Sequence, residues 1–490
     1  MLVLGGGIAG LTAARQVLLE HPAWRVTVLE SAAQVGGKLR REEVAGTLVD
    51  TGAESLLFRR PEAAALARAV GLGEDLEHPA TYAARVWSGG RRRPLPRSVM
   101  GVPGDPASLE ESGLLSPAGL ARALDEPTLG TTDEQQRVIA GEDVSVGDLV
   151  ASRFGDEVVD RLVEPLLGGV YAGDARRLSV AACTPQILAL ARDGGSMLEA
   201  AAASLAAPAS STPVFVGVRG GVGRLAESVA HDVEARGGDV RTGVTARRLT
   251  RTADGFAVET GPVPAPSTVS ADAVVLAVPA APAARLLQDL APAAAAELGG
   301  VAYASSAVIT LAFDTRALPD LDGSGFLVPP SEGRLVKAST FSAAKWGWLR
   351  EAGEAGQAGE AGESGAGVPL TLLRLSVGRI GEEQRLQVDD ARLVVDATAD
   401  LAEALAVTLP DPVDSRVTRW GGGLPQYAPG HLGLVSRVRE AVAAVPGLAV
   451  CGAAYDGVGV PACIASGEQA ATEAAAGIEG ARGGPAQWRA

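Results

Sequence analysis

The sequence is poor in cysteine, histidine, methionine and aromatic residues, although it is 490 residues long. Its three cysteines, Cys183, Cys451 and Cys463, have none of the spacings of disulfide-rich or zinc-binding proteins. The four histidines also lack the spacing of metal ligands. We therefore predict free thiols, a reducing compartment and no metal site.

The sequence also lacks an excess of positive charge and long apolar runs. Its 43 lysines and arginines are outnumbered by 58 acidic residues, for a formal net charge of -15, which would repel the phosphate backbone of a nucleic acid. Apolar stretches fall short of the ~20 residues that a membrane-spanning helix needs. The stretch that comes closest, after Gly195, is interrupted by Glu199 and Pro208. We expect a cytoplasmic protein that binds no nucleic acid, has no transmembrane segment and contacts membranes at most peripherally.

Apolar residues make up 47% of the chain, which is enough for two or three domains with sizeable cores. The first 55 residues predict a strand, a glycine-rich turn, a helix over 8–19 and a second strand over 25–30. Gly89 and Gly90 predict the turn of a hairpin within 84–97. Helical periodicity then dominates 106–207, and strand patterns return at 214–218, 240–250, 256–259, 273–279, 306–313 and 370–378.

A glycine-rich motif follows the first predicted strand. Its G-x-G-x-x-G pattern consists of Gly5, Gly6, Gly7, Ile8, Ala9 and Gly10. Glycines there let the chain turn tightly and approach a pyrophosphate at the N-terminus of the next helix. In a chain with 62 glycines this pattern alone is weak evidence. Glu30 strengthens it, because a carboxylate at the end of the second strand can accept hydrogen bonds from ribose hydroxyls. The sequence therefore predicts a dinucleotide site.

Two further segments indicate which dinucleotide is bound. Gly36, Gly37 and Lys38, followed by Asp-Thr-Gly-Ala-Glu-Ser at 50–55, resemble the FAD-binding extension of the glutathione reductase and amine oxidase superfamily. In that superfamily a C-terminal segment closes the flavin site, and residues 448–461 fit that role. A helix beginning there would aim its N-terminus at the flavin ring.

A nicotinamide site is not expected. The nearest approach to a second G-x-G-x-x-G, at 217–223, has the wrong spacing, and we interpret it as a turn into a helix. Reduced flavin would then pass its electrons to oxygen or another direct acceptor, which favours an oxidase over a reductase.

Three other segments are similar to the porphyrinogen oxidase family, whose members oxidise protoporphyrinogen or coproporphyrinogen. They are 163–174 (VEPLLGGVYAGD), 420–431 (a tryptophan, then PQY and GH) and 454–464 (AYDGVGVPACI). Residues 95–103 (LPRSVMGVP) resemble the family's entry to its helical domain. The resemblance runs from residue 2 to about residue 477.

Together with the pattern of elements, this resemblance implies an α/β fold with a FAD-binding Rossmann-like domain, a mixed-sheet substrate domain and a helical insertion domain. The predicted FAD-binding domain is discontinuous, the helical domain is continuous, and one low-complexity segment (EAGEAGQAGEAGESGAG) is expected to be a loop. The ranges are 1–83, 214–280 and 430–480 for the FAD-binding domain, 84–104 and 281–429 for the substrate-binding domain, 105–213 for the helical domain, and 351–367 for the loop.

Carried over residue by residue, the resemblance also implies site residues. The FAD contacts would be Gly5, Gly6, Gly7, Ile8, Ala9, Gly10, Glu30, Ser31, Gly37, Lys38, Gly52, Ala53, Glu54, Ser55, Val244, Trp420, Val458, Gly459 and Val460. The substrate contacts would be Arg97, which would meet a propionate, Gly169 and Ala172 at the mouth of the site, and Leu327 as an apolar wall. Neither Cys451 nor Cys463 lies in the tether motif of the covalent amine oxidases, so we expect non-covalent FAD.

The implied reaction is the six-electron dehydrogenation of a porphyrinogen in haem biosynthesis, with oxygen as acceptor and hydrogen peroxide as product. Hydride passes to the flavin, so no side-chain acid or base is required and we assign no catalytic residue. The Ala-, Gly- and Arg-rich, acidic sequence matches family members of Gram-positive bacteria, which implies coproporphyrinogen III as substrate and ferrochelatase as a candidate partner.

Alternative interpretations stay open. Protoporphyrinogen IX is the alternative substrate, and a non-catalytic FAD-bound scaffold for haem-pathway enzymes is the alternative of another class. An amine oxidase or carotenoid desaturase would share the first 55 residues but not the segments at 171–173 and 425–427. Trp420 and Tyr427 are alternatively core aromatics, and His431 is better interpreted as structural.

Overall fold

The computed structural model describes residues 1–207, 212–355 and 368–482. Within these ranges the strands, numbered in chain order, are β1 (Leu2–Leu4), β2 (Thr27–Leu29), β3 (Arg41–Val44), β4 (Thr47–Asp50), β5 (Leu56–Leu57), β6 (Leu76–Glu77), β7 (Ala84–Ser88), β8 (Arg91–Pro94), β9 (Ser98–Val99), β10 (Val102–Pro103), β11 (Phe215–Val218), β12 (Asp239–Arg241), β13 (Arg248–Thr252), β14 (Gly255–Thr260), β15 (Ser267–Ala271), β16 (Val274–Leu276), β17 (Tyr303–Asp314), β18 (Gly325–Leu327), β19 (Val336–Thr340), β20 (Leu370–Val377), β21 (Asp414–Pro425) and β22 (Leu448–Val450).

The helices are α1 (Ile8–Glu20), α2 (Pro61–Ala69), α3 (Pro106–Ser112), α4 (Pro117–Leu124), α5 (Asp133–Ile139), α6 (Val146–Phe154), α7 (Asp156–Val158), α8 (Glu164–Tyr171), α9 (Val180–Cys183), α10 (Pro185–Ala191), α11 (Met197–Ala206), α12 (Gly223–Ala235), α13 (Ala280–Leu287), α14 (Pro292–Gly299), α15 (Ser342–Lys345), α16 (Gly347–Ala355), α17 (Asp390–Leu405), α18 (His431–Ala443) and α19 (Val460–Arg482). Several begin where a side chain caps them, because its oxygen accepts the backbone N–H three residues on. These caps include Asp105, Ser116, Thr132 and Ser145.

A parallel sheet of five strands forms the first layer, in the order β12-β2-β1-β16-β22. The strands β1, β16 and β22 are buried along their whole length, which is why their sequences are continuously apolar rather than alternating. On one side, α1 packs between α12 and α19. The N-terminal and C-terminal parts of the chain therefore share one core.

A second sheet of seven strands has the order β21-β17-β20-β19-β18-β7-β8. It is mixed, since β18 and β7 are parallel whereas the other neighbours are antiparallel. One face carries Ile309 and Leu375 and packs with Leu393 of α17. Thr310 and Arg374 are paired on the other face. The predicted α/β fold with a mixed sheet is confirmed.

Helices α3 to α11 pack around a separate apolar core, as the periodicity of 106–207 predicts. An ion pair is enclosed within this helical region, where Arg153 Nε donates to Glu126 Oε1 at 2.6 Å. The same carboxylate accepts the backbone N–H of Met197 at 2.9 Å, at the start of α11. Both charged groups are therefore satisfied internally. The exact division of the chain into three domains stays a prediction.

Two local predictions are wrong. Residues 240–250 form two strands instead of one, because the chain turns at Gly243, whose φ of +71° suits glycine. Residues 351–355 end α16 rather than belonging to a loop, and Glu351 pairs with Arg219 at 2.6 Å. The remainder of the predicted loop, 356–367, lies outside the described residues.

Candidate functional site

The carboxyl ends of the parallel strands meet at one edge of the first sheet. Leu4 lies in register with Leu29 and Leu276, and Leu276 lies in register with Val450. The segments that follow these strands are therefore neighbours in space. In open α/β sheets this edge is where ligands bind.

The glycine-rich turn occupies this edge between β1 and α1. Gly5 has a φ of +112°, and a Cβ there would approach Ala277 O to 2.5 Å. A Cβ on Gly10 would overlap the carbonyl oxygen of Gly5, so both positions require glycine. By contrast, a Cβ on Gly7 would meet nothing within 4 Å, and no side chain caps α1. The first turn of α1 therefore faces open space with its N–H groups available to an anion.

Glu30 is held beside this turn by its own hydrogen bonds. Its carboxylate accepts the backbone N–H of Gly6 and of Ala32, each at 2.7 Å, and the Ser31 hydroxyl at 3.2 Å. The N–H of Val244 donates to Glu30 O at 2.8 Å. Four of the predicted contacts, on three separate segments, therefore converge at the end of β2.

A second glycine segment extends the edge. Gly36 N–H donates to Gly6 O at 2.8 Å, and a Cβ on Gly37 would lie 3.4 Å from Gly7 Cα. Ala53 N–H donates to Lys38 O at 3.0 Å. Backbone hydrogen bonds and close contacts thus connect the glycine-rich turn, the 36–38 segment and the 52–55 segment in space.

Trp420 contacts the backbone at the start of the 52–55 segment. Its indole Nε1 donates to Thr51 O at 2.9 Å, and its ring would lie 3.3 Å from a Cβ on Gly52. Trp420 is partly exposed and lies beside the predicted cofactor segment. Tyr427, on the other hand, is buried, donates its hydroxyl to Ala453 O at 2.5 Å and stacks on His431 at 3.9 Å between ring centroids. The structural interpretation of Tyr427 and His431 therefore fits better.

The C-terminal segment approaches the same edge through helix packing. The helix α19 begins at Val460 and packs along α1, with Gly467 directly against the carbonyl of Ala9. A Cβ on Gly459 would meet only Pro461 Cδ, at 3.9 Å, so the 458–460 turn borders open space. The predicted strand, turn and helix over 448–461 are confirmed.

The 217–223 segment is a turn from β11 into α12, as predicted. Its helix N-terminus is already occupied, because Asp50 accepts the N–H groups of Val222 and Gly223 at 2.7 and 2.9 Å. Burial raises the pKa of Asp50 to about 6 against the opposing effect of these hydrogen bonds. The next two N–H groups, of Arg224 and Leu225, donate to backbone oxygens, so within the described residues the first turn has no free N–H group for the pyrophosphate of a second dinucleotide.

The four predicted substrate residues are only partly brought together. Gly169, on α8, is exposed, and a Cβ there would lie 3.9 Å from Leu327 Cδ2 on β18. Val170 beside it is 48% exposed. Ala172 is buried in a left-handed conformation that ends α8, with a φ of +49°. We call the surface formed by Gly169, Val170 and Leu327 the apolar cleft.

The side chain of Arg97 makes its described polar contacts with Asp105 and Leu205 rather than with the residues of the apolar cleft. It lies between β8 and β9 with a side chain that is 62% exposed, and it pairs with Asp105 at 3.5 Å. Its guanidinium also lies 3.5 Å from Leu205 O at the end of α11.

Comparison with known proteins identifies the family. The family described as flavin containing amine oxidoreductase matches residues 8–475. The chain belongs to the flavin-containing amine oxidoreductase family. It is 38% identical over 482 residues to a coproporphyrinogen III oxidase of Mycobacterium tuberculosis, with 96% of each chain covered. A coproporphyrinogen III oxidase of Bacillus subtilis is 28% identical over 490 residues, with 97% of each chain covered.

A crystal structure from Exiguobacterium sp. 255-15, named there as a candidate protoporphyrinogen oxidase, has a TM-score of 0.81 and 29% identity, and 98% of each chain is covered. The predicted resemblance to porphyrinogen oxidases is therefore confirmed. This member of the flavin-containing amine oxidoreductase family is an oxidoreductase with a flavin cofactor, as the glycine-rich turn and the 36–38 segment predicted.

The residues of this flavin-containing amine oxidoreductase fit a flavin dinucleotide. The open space at Gly7 lies at an uncapped helix N-terminus, and the Glu30 carboxylate is fixed beside it. Lys38 is partly buried, and burial lowers its pKa although the nearby Cys463 thiol acts in the opposite direction. An anionic ligand would offset the unfavourable burial of this ammonium group.

The sequence did not reveal how the 52–55 segment is held. Glu54 was predicted to contact FAD, yet its carboxylate pairs with Lys345 at 2.5 Å and with Arg374 at 3.4 Å. Burial acts to raise the pKa of Glu54, but these two cations hold it below its usual value. Arg374 also donates to Gly52 O. No sequence signal could have found Lys345 and Arg374, because they lie 291 and 320 residues from Glu54.

In the described ranges, no helix is both long and apolar enough to cross a membrane. Nor do those ranges contain a group of three or more histidine, cysteine, aspartate or glutamate residues arranged to hold a metal ion.

Proposed function

We propose that the protein is a coproporphyrinogen III oxidase that binds FAD non-covalently. The observation that carries this proposal is the 38% identity to a mycobacterial coproporphyrinogen III oxidase across 96% of both chains. The edge of the first sheet that carries the glycine-rich turn, which we call the dinucleotide edge, supports it, because its open helix N-terminus and its fixed carboxylate suit a pyrophosphate and a ribose.

Each part of the edge would have its own task. The N-terminus of α1 at Gly7 would receive the pyrophosphate, and the Glu30 carboxylate would accept hydrogen bonds from the adenosine ribose. The backbone at 51–53, held by Trp420 and Arg374, would border the ring system. Bound FAD would supply the hydride acceptor.

Non-covalent attachment agrees with the chemistry of the two nearby cysteines. Cys451 and Cys463 are buried, and burial raises the pKa of Cys463 to about 11. Burial also raises the pKa of Cys451. A thiol that stays protonated at neutral pH is a poor nucleophile. Neither cysteine is therefore activated to form a covalent bond to the flavin.

The apolar cleft would receive the macrocycle. Gly169 offers no side chain that would obstruct a flat ring, and Leu327 and Val170 offer apolar surface. Arg97 remains our candidate for a propionate contact. The chain's part in the reaction is to orient the substrate and exclude water, and it requires no side-chain acid or base.

Oxygen is the proposed electron acceptor. It is favoured because Asp50 caps the helix that a second dinucleotide would need at 217–223. A cytoplasmic location and a contact with ferrochelatase stay predictions.

Protoporphyrinogen IX remains the second candidate substrate, since the Exiguobacterium relative is named for it. The test is a fluorescence assay that offers both porphyrinogens to the purified holoprotein and follows porphyrin formation and oxygen uptake. We expect faster oxidation of coproporphyrinogen III, with hydrogen peroxide as product. Faster oxidation of protoporphyrinogen IX would overturn the substrate assignment, and turnover of neither by a flavin-loaded protein would favour a non-catalytic scaffold.

A further inference from the structure

Two buried cations lie close to the strand that carries Leu327. Lys337 is on β19 at a β-bulge and is 4% exposed, and Arg379 follows β20 and is 6% exposed. Both are tied to the end of β18. Val328 N–H donates to Lys337 O at 2.8 Å, and Arg379 Nη2 donates to Val328 O at 2.9 Å. The backbone of Lys337 and the guanidinium of Arg379 are thus both bonded to the residue that follows Leu327.

The same two cations are linked to the helix on the other side of the apolar cleft. Ile380, the residue after Arg379, donates its N–H to Ala172 O at 2.8 Å. Ala172 ends α8, the helix on which Gly169 approaches Leu327. Lys337 and Arg379 therefore belong to the structure that joins the two walls of the cleft.

These cations are not matched by nearby negative charge. Among the described residues, Glu382 is the carboxylate at ion-pair distance from Arg379, at 3.7 Å. Within the described residues, Lys337 has no carboxylate at ion-pair distance and no hydrogen-bond acceptor for its ammonium group. Burial, and then the charge of Arg379, lowers the pKa of Lys337 to about 7.

The other acidic group at this place carries only part of a negative charge at neutral pH. Glu164, which begins α8 and influences Arg379, is itself buried, and burial raises its pKa to about 7. Lys337 is only 4% exposed, so its ammonium group is largely desolvated, which is unfavourable without a partner, and a carboxylate brought by a ligand would offset that cost.

We propose that Lys337, with Arg379 beside it, forms a carboxylate-binding subsite that receives one propionate of the tetrapyrrole substrate. This inference rests on the proposed function. It differs from a role for Arg97, whose guanidinium is exposed and already paired with Asp105. A buried cation without a partner discriminates more strongly than an exposed one, because water competes less with the ligand.

The test uses holoprotein and two probes, coproporphyrin III and its tetramethyl ester, titrated by fluorescence in one detergent-containing buffer. We expect Lys337→Met to weaken binding of coproporphyrin III about tenfold or more, and to leave binding of the ester and the FAD content unchanged. Lys337→Arg should restore affinity for the acid to within a few-fold. Arg392→Met, which removes an exposed cation on α17, is the matched control and should change neither probe.

Unchanged affinity of Lys337→Met for coproporphyrin III would overturn the subsite, and so would an equal loss for the acid and the ester, which would indicate packing. We expect Lys337→Met to fold at least as well as the wild type, because it removes a buried charge. Lys337→Gln serves as the second variant if it does not. The wild-type protein could bind the acid more tightly than the ester and yet oxidise no porphyrinogen. That result would overturn the proposed function but would still support the subsite.

Discussion

Glu30 Oε2 accepts the backbone N–H of Gly6 at 2.7 Å, which couples the end of the second strand to the glycine-rich turn. The carboxylate is thereby oriented before any cofactor arrives, and its position is set by backbone groups rather than by flexible side chains. An oriented carboxylate loses less entropy when it binds a ribose than a mobile one would.

Glu30→Ala should raise the dissociation constant of FAD by about 10- to 100-fold, because hydrogen bonds to a charged group are lost. The melting temperature of the apoprotein should change little, since Glu30 is only partly buried. Fluorescence titration of apoprotein with FAD measures the first quantity. Glu20→Ala, at the exposed end of α1, is the control, and equal FAD affinity in both variants would mean that the ribose is bound elsewhere.

Gly10→Ala and Gly7→Ala should separate folding from cofactor binding. The added methyl group at Gly10 overlaps Gly5 O, so we expect a loss of stability of about 1–3 kcal/mol as well as loss of FAD. At Gly7 the methyl group meets nothing in the protein, so the variant should melt like the wild type yet bind FAD weakly. Gly130→Ala, which also meets nothing within 4 Å, should alter neither property. Normal FAD binding by Gly7→Ala would move the pyrophosphate away from α1.

Glu54→Gln should lower the free energy of unfolding by roughly 3 kcal/mol at neutral pH, because it leaves Lys345 and Arg374 without their partly buried partner. The pKa of Glu54 is depressed in the folded state. Its contribution is therefore fully present above the unfolded pKa of about 4.3 and is lost as the pH falls through the lower folded value. Urea unfolding at several pH values measures it.

The difference between Glu54→Gln and the wild type should be constant above pH ~5 and shrink in more acidic solution. Glu62→Gln, which removes an exposed pair with Arg60, should cost at most about 1 kcal/mol. A pH-independent difference for Glu54→Gln would mean that packing rather than charge is responsible.

Arg97→Ala should narrow the preference for coproporphyrinogen III over protoporphyrinogen IX by a few-fold in kcat/KM. Coproporphyrinogen carries two propionates where protoporphyrinogen carries vinyl groups, so it gains more from each cation that meets a propionate. The effect should be modest, because the Arg97 side chain is 62% exposed and surface ion pairs contribute at most about 1 kcal/mol. Steady-state kinetics with both substrates decide it, and an unchanged ratio would remove Arg97 from the explanation of specificity.

The sequence by itself determined where the glycine-rich turn and the Glu30 carboxylate lie at the edge of the first sheet. The turn at 5–10 and the carboxylate at Glu30 are local features whose positions follow from the strand and helix that flank them. The hairpin turn at Gly89 and Gly90 is equally local, so turn chemistry predicts it.

Only the tertiary structure decided how charges are placed around the site. The pairing of Glu54 with Arg374 spans 320 residues, and the approach of Lys337 to Arg379 depends on how β18, β19 and β20 lie side by side. Sequence periodicity reports which face of a strand is buried, but not which distant strand packs against it. The turn at Gly243 was missed for the same reason, because the bonds that favour it, from Val244 to Glu30 and from Gly243 to Ala32, form only when the sheet assembles.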